Sequence, residues 1–336
     1  MHHYQPRHML VTGGAGFIGA NFIHHILETT NNIKIINLDK LTYASNIKNL
    51  ASLKHTERYQ FVHGDITDSY LVNEVLRKHN IDTIVHFAAE SHVDNSIAQP
   101  AVFIQTNVIG TFALLEAAKN YWQHENHWDA TRCRFHHIST DEVYGSLQLD
   151  DASFTEKTPY HPRSPYSASK AGSDHLVYAY YHTYGLPITL SNCSNNYGPF
   201  QHNEKFIPTI IKGCLTWQPI PVYGEGKNIR DWLYVKDHCK GIQAILEQGQ
   251  VGERYNLGGN QEMENLSLVR LICHYFDKHK PQKMPYASLV QFVTDRKGHD
   301  FRYAINHEKI KKLLDWTPEE TFLSGLEKTI LATGNL

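Results

Sequence analysis

The sequence predicts an α/β protein built on a Rossmann-type doubly wound parallel sheet with a smaller C-terminal α/β lobe, and three observations carry that expectation. Short apolar runs alternate with helix-length amphipathic stretches through the first half of the chain. A glycine-rich turn, Thr12-Gly13-Gly14-Ala15-Gly16-Phe17-Ile18-Gly19, sits between the first such run and the first such helix. After Leu190 the texture changes to loops rich in Asn, Pro and Gly with interspersed helices, which divides the chain into residues 1–190 and 191–336, with crossing between the two lobes allowed.

Met9-Leu10-Val11 reads as the opening strand. In the turn behind it, Gly14, Gly16 and Gly19 satisfy G-x-G-x-x-G, and Gly13, Gly16 and Gly19 the looser G-x-x-G-x-x-G. Such glycines allow a tight turn, close backbone approach to a pyrophosphate and close packing of the next helix, whose N-terminal amides face the phosphates. Residues 17–27 then carry apolar side chains at helical spacing, beginning with Phe17 and Ile18. A second apolar strand at 34–38 ends in Asp39, where the ribose hydroxyls of an adenosine are expected, so the pattern favours NAD; the adjacent Lys40 keeps NADP open.

The alternation continues through a strand at 59–62 leading into Gly64-Asp65-Ile66, a helix at 70–79, a buried strand at 83–89 ending in Ala88-Ala89, and a long helix at 101–121. Ligands of such sheets bind at the carboxyl ends of the strands, where the glycine turn, Asp39, Asp65, Ala88-Ala89 and Thr140 all fall. Behind the strand-like Arg134-Phe135-His136-His137-Ile138 comes Ser139-Thr140-Asp141-Glu142-Val143-Tyr144-Gly145, a hydroxyl followed by two acids. An N-capped helix start would use the same residue types. Ser164-Pro165 reads as a helix cap with proline in the first turn, which places Tyr166 and Lys170 at i and i+4 on one face. A phenol, with an unperturbed pKa near ~10, is a poor base at neutral pH, and a lysine ammonium one turn away is expected to lower it.

Composition narrows the classes. With 336 residues, 32 basic against 34 acidic side chains and a formal charge of -2, the chain is long enough for a substantial core and has no cationic footprint for nucleic acid or an anionic membrane. No apolar run is expected to span a membrane, and the few residues ahead of the first strand leave no room for a signal peptide. Five scattered cysteines fit reduced thiols and a cytoplasmic enzyme. The 23 histidines include no His-Glu-x-x-His and there is no Cys-x-x-Cys, so no metal is expected; His24-His25 and His136-His137 read as surface or core residues.

The ordered set of the glycine turn, Thr140, Tyr166 and Lys170 resembles the extended short-chain dehydrogenase/reductase family, most of whose members act on nucleotide sugars. More narrowly, Leu38-Asp39-Lys40-Leu41-Thr42-Tyr43-Ala44, Ala88-Ala89-Glu90-Ser91-His92-Val93-Asp94, the Ser139 to Gly145 stretch, Tyr166-Ser167-Ala168-Ser169-Lys170, Cys193-Ser194-Asn195-Asn196-Tyr197-Gly198-Pro199, Asn228-Ile229-Arg230-Asp231-Trp232-Leu233-Tyr234-Val235 and Thr294-Asp295-Arg296-Lys297-Gly298-His299-Asp300 resemble its dTDP-glucose 4,6-dehydratase branch. The similarity runs from the first strand to about Trp316.

The resemblance implies a reaction. Tyr166 would take the C4 hydroxyl proton with Thr140 hydrogen-bonded to it, while Lys170 tunes Tyr166 and holds the nicotinamide ribose. Glu142 would remove the C5 proton made acidic by the C4 ketone, Asp141 would protonate the departing C6 oxygen, and hydride would return to C6. Adjacent acids disfavour joint ionisation, so one can hold a proton while the other is ionised; the residues alone leave open which is which. The resemblance further implies tightly held NAD, with Thr42, Ile66, Ser91 and Asn107 joining the cofactor residues above. It implies a nucleotide-sugar pocket lined by His92, Asn196, Glu204, Lys205, Pro221 and Tyr223, together with Arg230, Asn265, Arg296, His299 and Tyr303. Lys205, Arg230 and Arg296 are the cations that a diphosphate requires. A homodimer is implied as well, with residues 113–118 as a candidate helical face, although amphipathic helices are more often plain core.

Asn95, Ser45, Asn192 and Lys297 depart from the residues usual in the family, which leaves the details of the sugar pocket open. A 4-epimerase or nucleotide-sugar decarboxylase would not need both acids after Thr140. A GDP-mannose 4,6-dehydratase fits Asp39 and the Thr-Asp-Glu order less well, and an inactive NAD-binding protein would not keep the whole catalytic set.

Overall fold

The computed structural model describes residues 4–53, 56–296 and 298–333; the departure at Lys297 lies outside them. Strands β1 (His8–Thr12), β2 (Lys34–Asp39), β3 (Tyr59–His63), β4 (Thr83–His86), β5 (Arg134–Thr140) and β6 (Ile188–Cys193) form the predicted parallel sheet. A seventh strand from far along the chain, Arg254–Leu257, completes the order 10-6-5-4-1-2-3 when strands are numbered along the chain. The intervening β7 (Asn195–Tyr197), β8 (Ile220–Tyr223) and β9 (Ile229–Tyr234) lie outside this sheet, so Arg254–Leu257 is β10. With β11 (Glu262–Glu264) and β12 (Val290–Val293) they build two smaller sheets, ordered 11-9-7 and 12-8.

The doubly wound form follows from the strand sequences. All four residues of β4 and all seven of β5 are buried, as a strand covered on both faces by helices requires. One apolar cluster joins Met9, Val11, Phe22 and Ile26 to Ile242 and Leu257. A second joins Leu10, Ile84, Leu114 and Phe135 to Val177 and Leu190. Fully burying each such side chain stabilises the fold by roughly 1.5–3 kcal/mol, which holds the carboxyl ends of these strands in place. A third cluster, around Ile210, Trp232, Leu268 and Phe276, centres the smaller lobe.

The helices that matter for the site are α1 (Phe17–Thr29), α2 (Ser69–Lys78), α3 (Val93–Ala98), α4 (Pro100–Glu125) and α5 (Pro165–Tyr184). Two expectations change at α4. Its length and composition are those of a membrane-crossing helix, contrary to the expectation that no apolar run would reach that length, although half of its most apolar window is buried inside the molecule. Residues Ala113, Leu114, Leu115, Ala117 and Ala118 point into the core, so the 113–118 stretch has no free apolar face to offer a second subunit. The outward apolar side chains nearby are Ile97, Val102, Ile104, Ile109 and Phe112.

Candidate active site

The crossover between β1 and β4 opens a cavity of about 300 Å³ at the carboxyl ends of the sheet. Gly13 has φ 71°, and a Cβ there would stand 2.6 Å from the Ala88 backbone nitrogen. A Cβ on Gly19 would run into the Gly13 carbonyl. The turn thus needs glycine for its own packing and also presents bare backbone to the cavity, a cradle that fits a dinucleotide pyrophosphate. Gly13→Ala is expected to cut the fraction of purified protein carrying dinucleotide at least about tenfold, through strain at positive φ and collision with Ala88. Cofactor released on denaturation, measured by chromatography, checks this.

Gly16, Phe17, Ile18, Asp39, Lys40 and Thr42 line the same cavity, as do Asp65, Ile66, Ala88, Ala89 and Ser91. Asp39 is held by its own chain: Oδ2 accepts from the Ala15 amide at 2.9 Å, while Oδ1 accepts from the Leu41 amide at 2.8 Å and Ser45 Oγ at 2.9 Å. Lys40 Nζ lies 2.6 Å from Asp65 Oδ2, so its charge is spent on a neighbour. Asn107 does not line the cavity. Its side chain donates to Ser169 Oγ at 2.8 Å and to the Glu90 carbonyl at 3.0 Å, and it accepts from the Glu90 amide, so it ties α4 to α5 and to the loop after β4; Thr106 lines the cavity in its place.

At the end of β5, Thr140 Oγ1 accepts from the Glu142 amide at 3.3 Å and caps the single helical turn Asp141–Tyr144. The capping role and the catalytic placement therefore coincide. α5 starts from a capping box in which Ser164 and Ser167 bond each other's backbone, with Pro165 in the first turn. That start turns Tyr166 and Lys170 toward β5, where both line the cavity with Thr140, Asp141 and Glu142. Lys170 Nζ donates to the Ile138 carbonyl at 2.8 Å.

Burial sets the proton affinities. It pushes Asp141 well above the usual carboxyl range, and the Glu142 and Asp231 charges add to this. Glu142 is raised too, again chiefly by burial, but the Arg230 and Lys205 cations pull it back. The sequence argument that Lys170 should lower Tyr166 is overturned in its net direction. Burial first, and the Glu142 charge second, hold the phenol well above its ordinary value, and the Thr140 hydroxyl opposes them.

Of the nucleotide-sugar residues, Asn196, Glu204 and Lys205 line the cavity. Lys205 Nζ donates to the Ser91 carbonyl at 3.0 Å, and the His92 ring lies 4.0 Å from Glu204. Asn196 Oδ1 is 2.9 Å from the ring of the buried His238. The others gather in two groups outside the cavity lining. The Arg230 guanidinium stacks 4.3 Å over Tyr303, whose hydroxyl donates to Asp300 at 2.5 Å. The Arg296 guanidinium stacks 4.7 Å over Tyr223 and pairs with Asp94 at 3.3 Å, beside His299. Both cations act on Glu142, which places these groups on its side of the site. Pro221 sits in β8, half-buried, and the Asn265 amide bonds the Asn228 carbonyl while its Oδ1 is buried with no hydrogen-bond partner among the described residues.

Three departures have visible jobs: Ser45 holds Asp39 as above, Asn192 Nδ2 donates to the Thr140 carbonyl at 2.9 Å, and Asn95 Nδ2 to the Tyr43 hydroxyl at 3.3 Å. Sequence reasoning missed Cys193, Ser194, Asn195, Gln201 and His202 as cavity residues. Their signal was topological, since β6 adjoins β5 and its carboxyl end must open beside Thr140.

The sequence matches the family model for GDP-mannose 4,6 dehydratase over residues 10–329. A dTDP-glucose 4,6-dehydratase of Xanthomonas campestris pv. campestris is 53% identical over 96% of this chain and 91% of its own length. Dehydratase 1 of that activity from Escherichia coli K12 is 49% identical over the same shares. Among solved structures, the Streptomyces venezuelae dTDP-glucose 4,6-dehydratase DesIV, with NAD and TYD bound, superposes with TM-score 0.88 at 44% identity and covers 97% of both chains. With the glycine cradle, the Thr140-Asp141-Glu142 turn and the Tyr166–Lys170 pair in one cavity, and with relatives of that identity over almost the whole chain, the protein belongs to the dTDP-glucose 4,6-dehydratase family of extended short-chain dehydrogenases/reductases.

Proposed function

We propose that this chain is an NAD-dependent hydro-lyase that converts dTDP-glucose to dTDP-4-keto-6-deoxyglucose and water, with residues 1–190 mainly holding the cofactor and 191–336 mainly the nucleotide. One observation carries the reading: the adjacent acids Asp141 and Glu142 share a cavity with Thr140, Tyr166 and a dinucleotide cradle. The pairing of Lys40 with Asp65 removes the free cation that a 2′-phosphate would need and supports NAD over NADP. NAD, when bound, takes hydride from C4 and gives it back at C6.

The chain's own groups supply the protons. Tyr166 accepts the proton of the C4 hydroxyl while the Thr140 hydroxyl beside it favours the phenolate. Glu142, ionised more readily because Arg230 and Lys205 face it, takes the C5 proton and later returns it. Asp141, held protonated by burial and by the Glu142 charge, gives its proton to the C6 oxygen, which leaves as water. One cycle leaves Tyr166 one proton richer and Asp141 one poorer. Thr140 stands between them, its hydroxyl 3.4 Å from Asp141 Oδ1, where it can link the two.

Mass spectrometry of the purified protein incubated with dTDP-glucose tests the reading: loss of one water without accumulation of reduced nicotinamide is expected. A product of unchanged mass with inverted C4 would overturn it in favour of epimerisation.

A homodimer through α3 and α4 is part of the same reading, supported by the outward Ile97, Val102, Ile104, Ile109 and Phe112. The doubly charged Ile109→Asp, Phe112→Asp variant is expected to run as a monomer in light scattering, where the parent protein runs as a dimer. Five buried, unpaired cysteines support a reducing cytoplasmic setting, and the near-neutral net charge gives no support to a nucleic-acid or membrane partner.

A further inference from the structure

Beneath the catalytic lysine lies a buried polar cluster that the proton steps above do not use. His137 and Asp174 have no exposed surface, and Lys170 is 5% exposed. The His137 Nε2 atom stands 3.1 Å from Asp174 Oδ1, 3.3 Å from Ser173 Oγ and 3.5 Å from Lys170 Nζ, so one ring nitrogen is close to both the ammonium and the carboxylate. Asp174 Oδ2 accepts from Ser139 Oγ and from the Tyr160 hydroxyl, each at 2.7 Å. Ser139 directly precedes Thr140, so the cluster is tied to the catalytic turn as well as to the lysine.

We propose that Asp174, one helical turn from Lys170 on α5 and held by Ser139 and Tyr160, is the buried counter-ion that keeps Lys170 an ammonium and is thereby a positioning residue for the Tyr166–Lys170 pair. An isolated ammonium in such a place loses its hydration without return and sheds its proton; a buried carboxylate close by offsets that loss. The proton affinities agree. Burial pulls Lys170 below the ordinary lysine range while Asp174 opposes it, with Cys193 second. Burial alone would raise Asp174, yet His137, Lys170 and Ser139 together bring it below its usual value, so it stays ionised. His137 itself is lowered to about 4, by burial and then by Lys170, and is a neutral spacer at physiological pH.

Among the described residues, further titratable groups pack around the pair: His136 on β5 is buried and kept neutral, and His175 lies against the Tyr160 ring. His86 faces it from β4 and is kept neutral by burial. Cys193 faces it from β6, Tyr166 shares α5 with Lys170, and Tyr144, Tyr160 and Tyr178 close the Asp174 side with the Arg254 guanidinium over their rings. Arg254 therefore adds a second cation at the outer end of the cluster without touching Lys170.

The inference rests on the proposed function, and two readouts keep the two apart. In holoenzyme labelled with carbon-13 lysine, the Lys170 Cε resonance, assigned by its loss in Lys170→Met, reports the lysine proton directly. Asp174→Asn is expected to move that titration down by about one pH unit or more, because the ammonium loses its counter-charge. Formation of reduced nicotinamide in one turnover, measured in a Glu142→Gln background so that Asp141 plays no part, is expected to lose its high-pH limb by the same displacement and to recover at lower pH. Asp174→Glu, which keeps the charge, should restore most of both. An unmoved Lys170 titration in folded Asp174→Asn, or a slower rate with an unmoved limb, overturns the proposal. Should Asp174→Asn fail to fold, Asp174→Ser decides: it removes the same charge in a smaller side chain that still offers an oxygen to Ser139 and Tyr160, and should give a shift of the same sign, and no shift overturns the proposal. If the Glu142→Gln parent forms no reduced nicotinamide at all, the proposed function fails, and the lysine titration still judges the counter-ion.

Discussion

Tyr166→Phe is expected to lower turnover of dTDP-glucose by at least about 10³-fold, within the range that removal of a positioned general acid or base commonly costs. The ring survives the change. It meets Phe103 edge to face, with centroids 6.3 Å apart, and only the hydroxyl beside Thr140 is lost. Bound dinucleotide, thermal stability and substrate affinity should therefore stay near those of the parent protein. Neither a keto sugar nor reduced nicotinamide should form, because the first proton has nowhere to go. A variant that still reduced its cofactor on adding substrate would remove Tyr166 from its assigned role.

Glu142→Gln separates the two halves of the reaction. Water loss should fall on the order of 10²–10⁴-fold, the usual worth of a positioned base, while a fraction of bound NAD is still reduced on adding substrate. The charge of Glu142 is the second-largest influence raising Tyr166, so its removal should bring the phenol down. The sign follows directly: a base of lower proton affinity is ionised at lower pH, and the acid limb of cofactor reduction should move toward acid. Asp141→Asn should likewise pass the oxidation step and stall at loss of the C6 oxygen. On the proposed roles the dehydration step requires Glu142 ionised and Asp141 protonated. Burial raises both, so the rate should fall as pH drops through the raised Glu142 value and as pH rises through the raised Asp141 value. A dehydration rate in Glu142→Gln equal to the parent's would reassign the base.

Much of the site was legible because it is written locally. The glycine turn, Asp39 at a strand end, the Thr140-Asp141-Glu142 run and the i, i+4 pair on α5 each depend on neighbours within one turn or one strand, and the cavity gathers them all. Asn107 shows where local pattern runs out. Its amide is consumed in bridging Glu90 and Ser169, and the adjacent Thr106 lines the cavity instead. The helical stretch 113–118 shows the same limit: its apolar periodicity is equally that of a plain core helix, and the core takes it, while Val102, Ile104, Ile109 and Phe112 of α4 face outward.

The sequence by itself determined the sheet, the glycine turn and which side chains are candidates to react, because side-chain chemistry and short-range periodicity are properties of the chain. Only the tertiary structure decided how those groups hold their protons. Burial raised Asp141, Glu142 and Tyr166, and the charges that grade them arrive from β9, from Lys205 and from the loop bearing Arg296 and Asp300, all remote along the chain. Asp174 likewise becomes a counter-ion only when α5 lies against β5. Proton affinity depends on the dielectric surroundings and on through-space charge, and neither exists until the chain has folded.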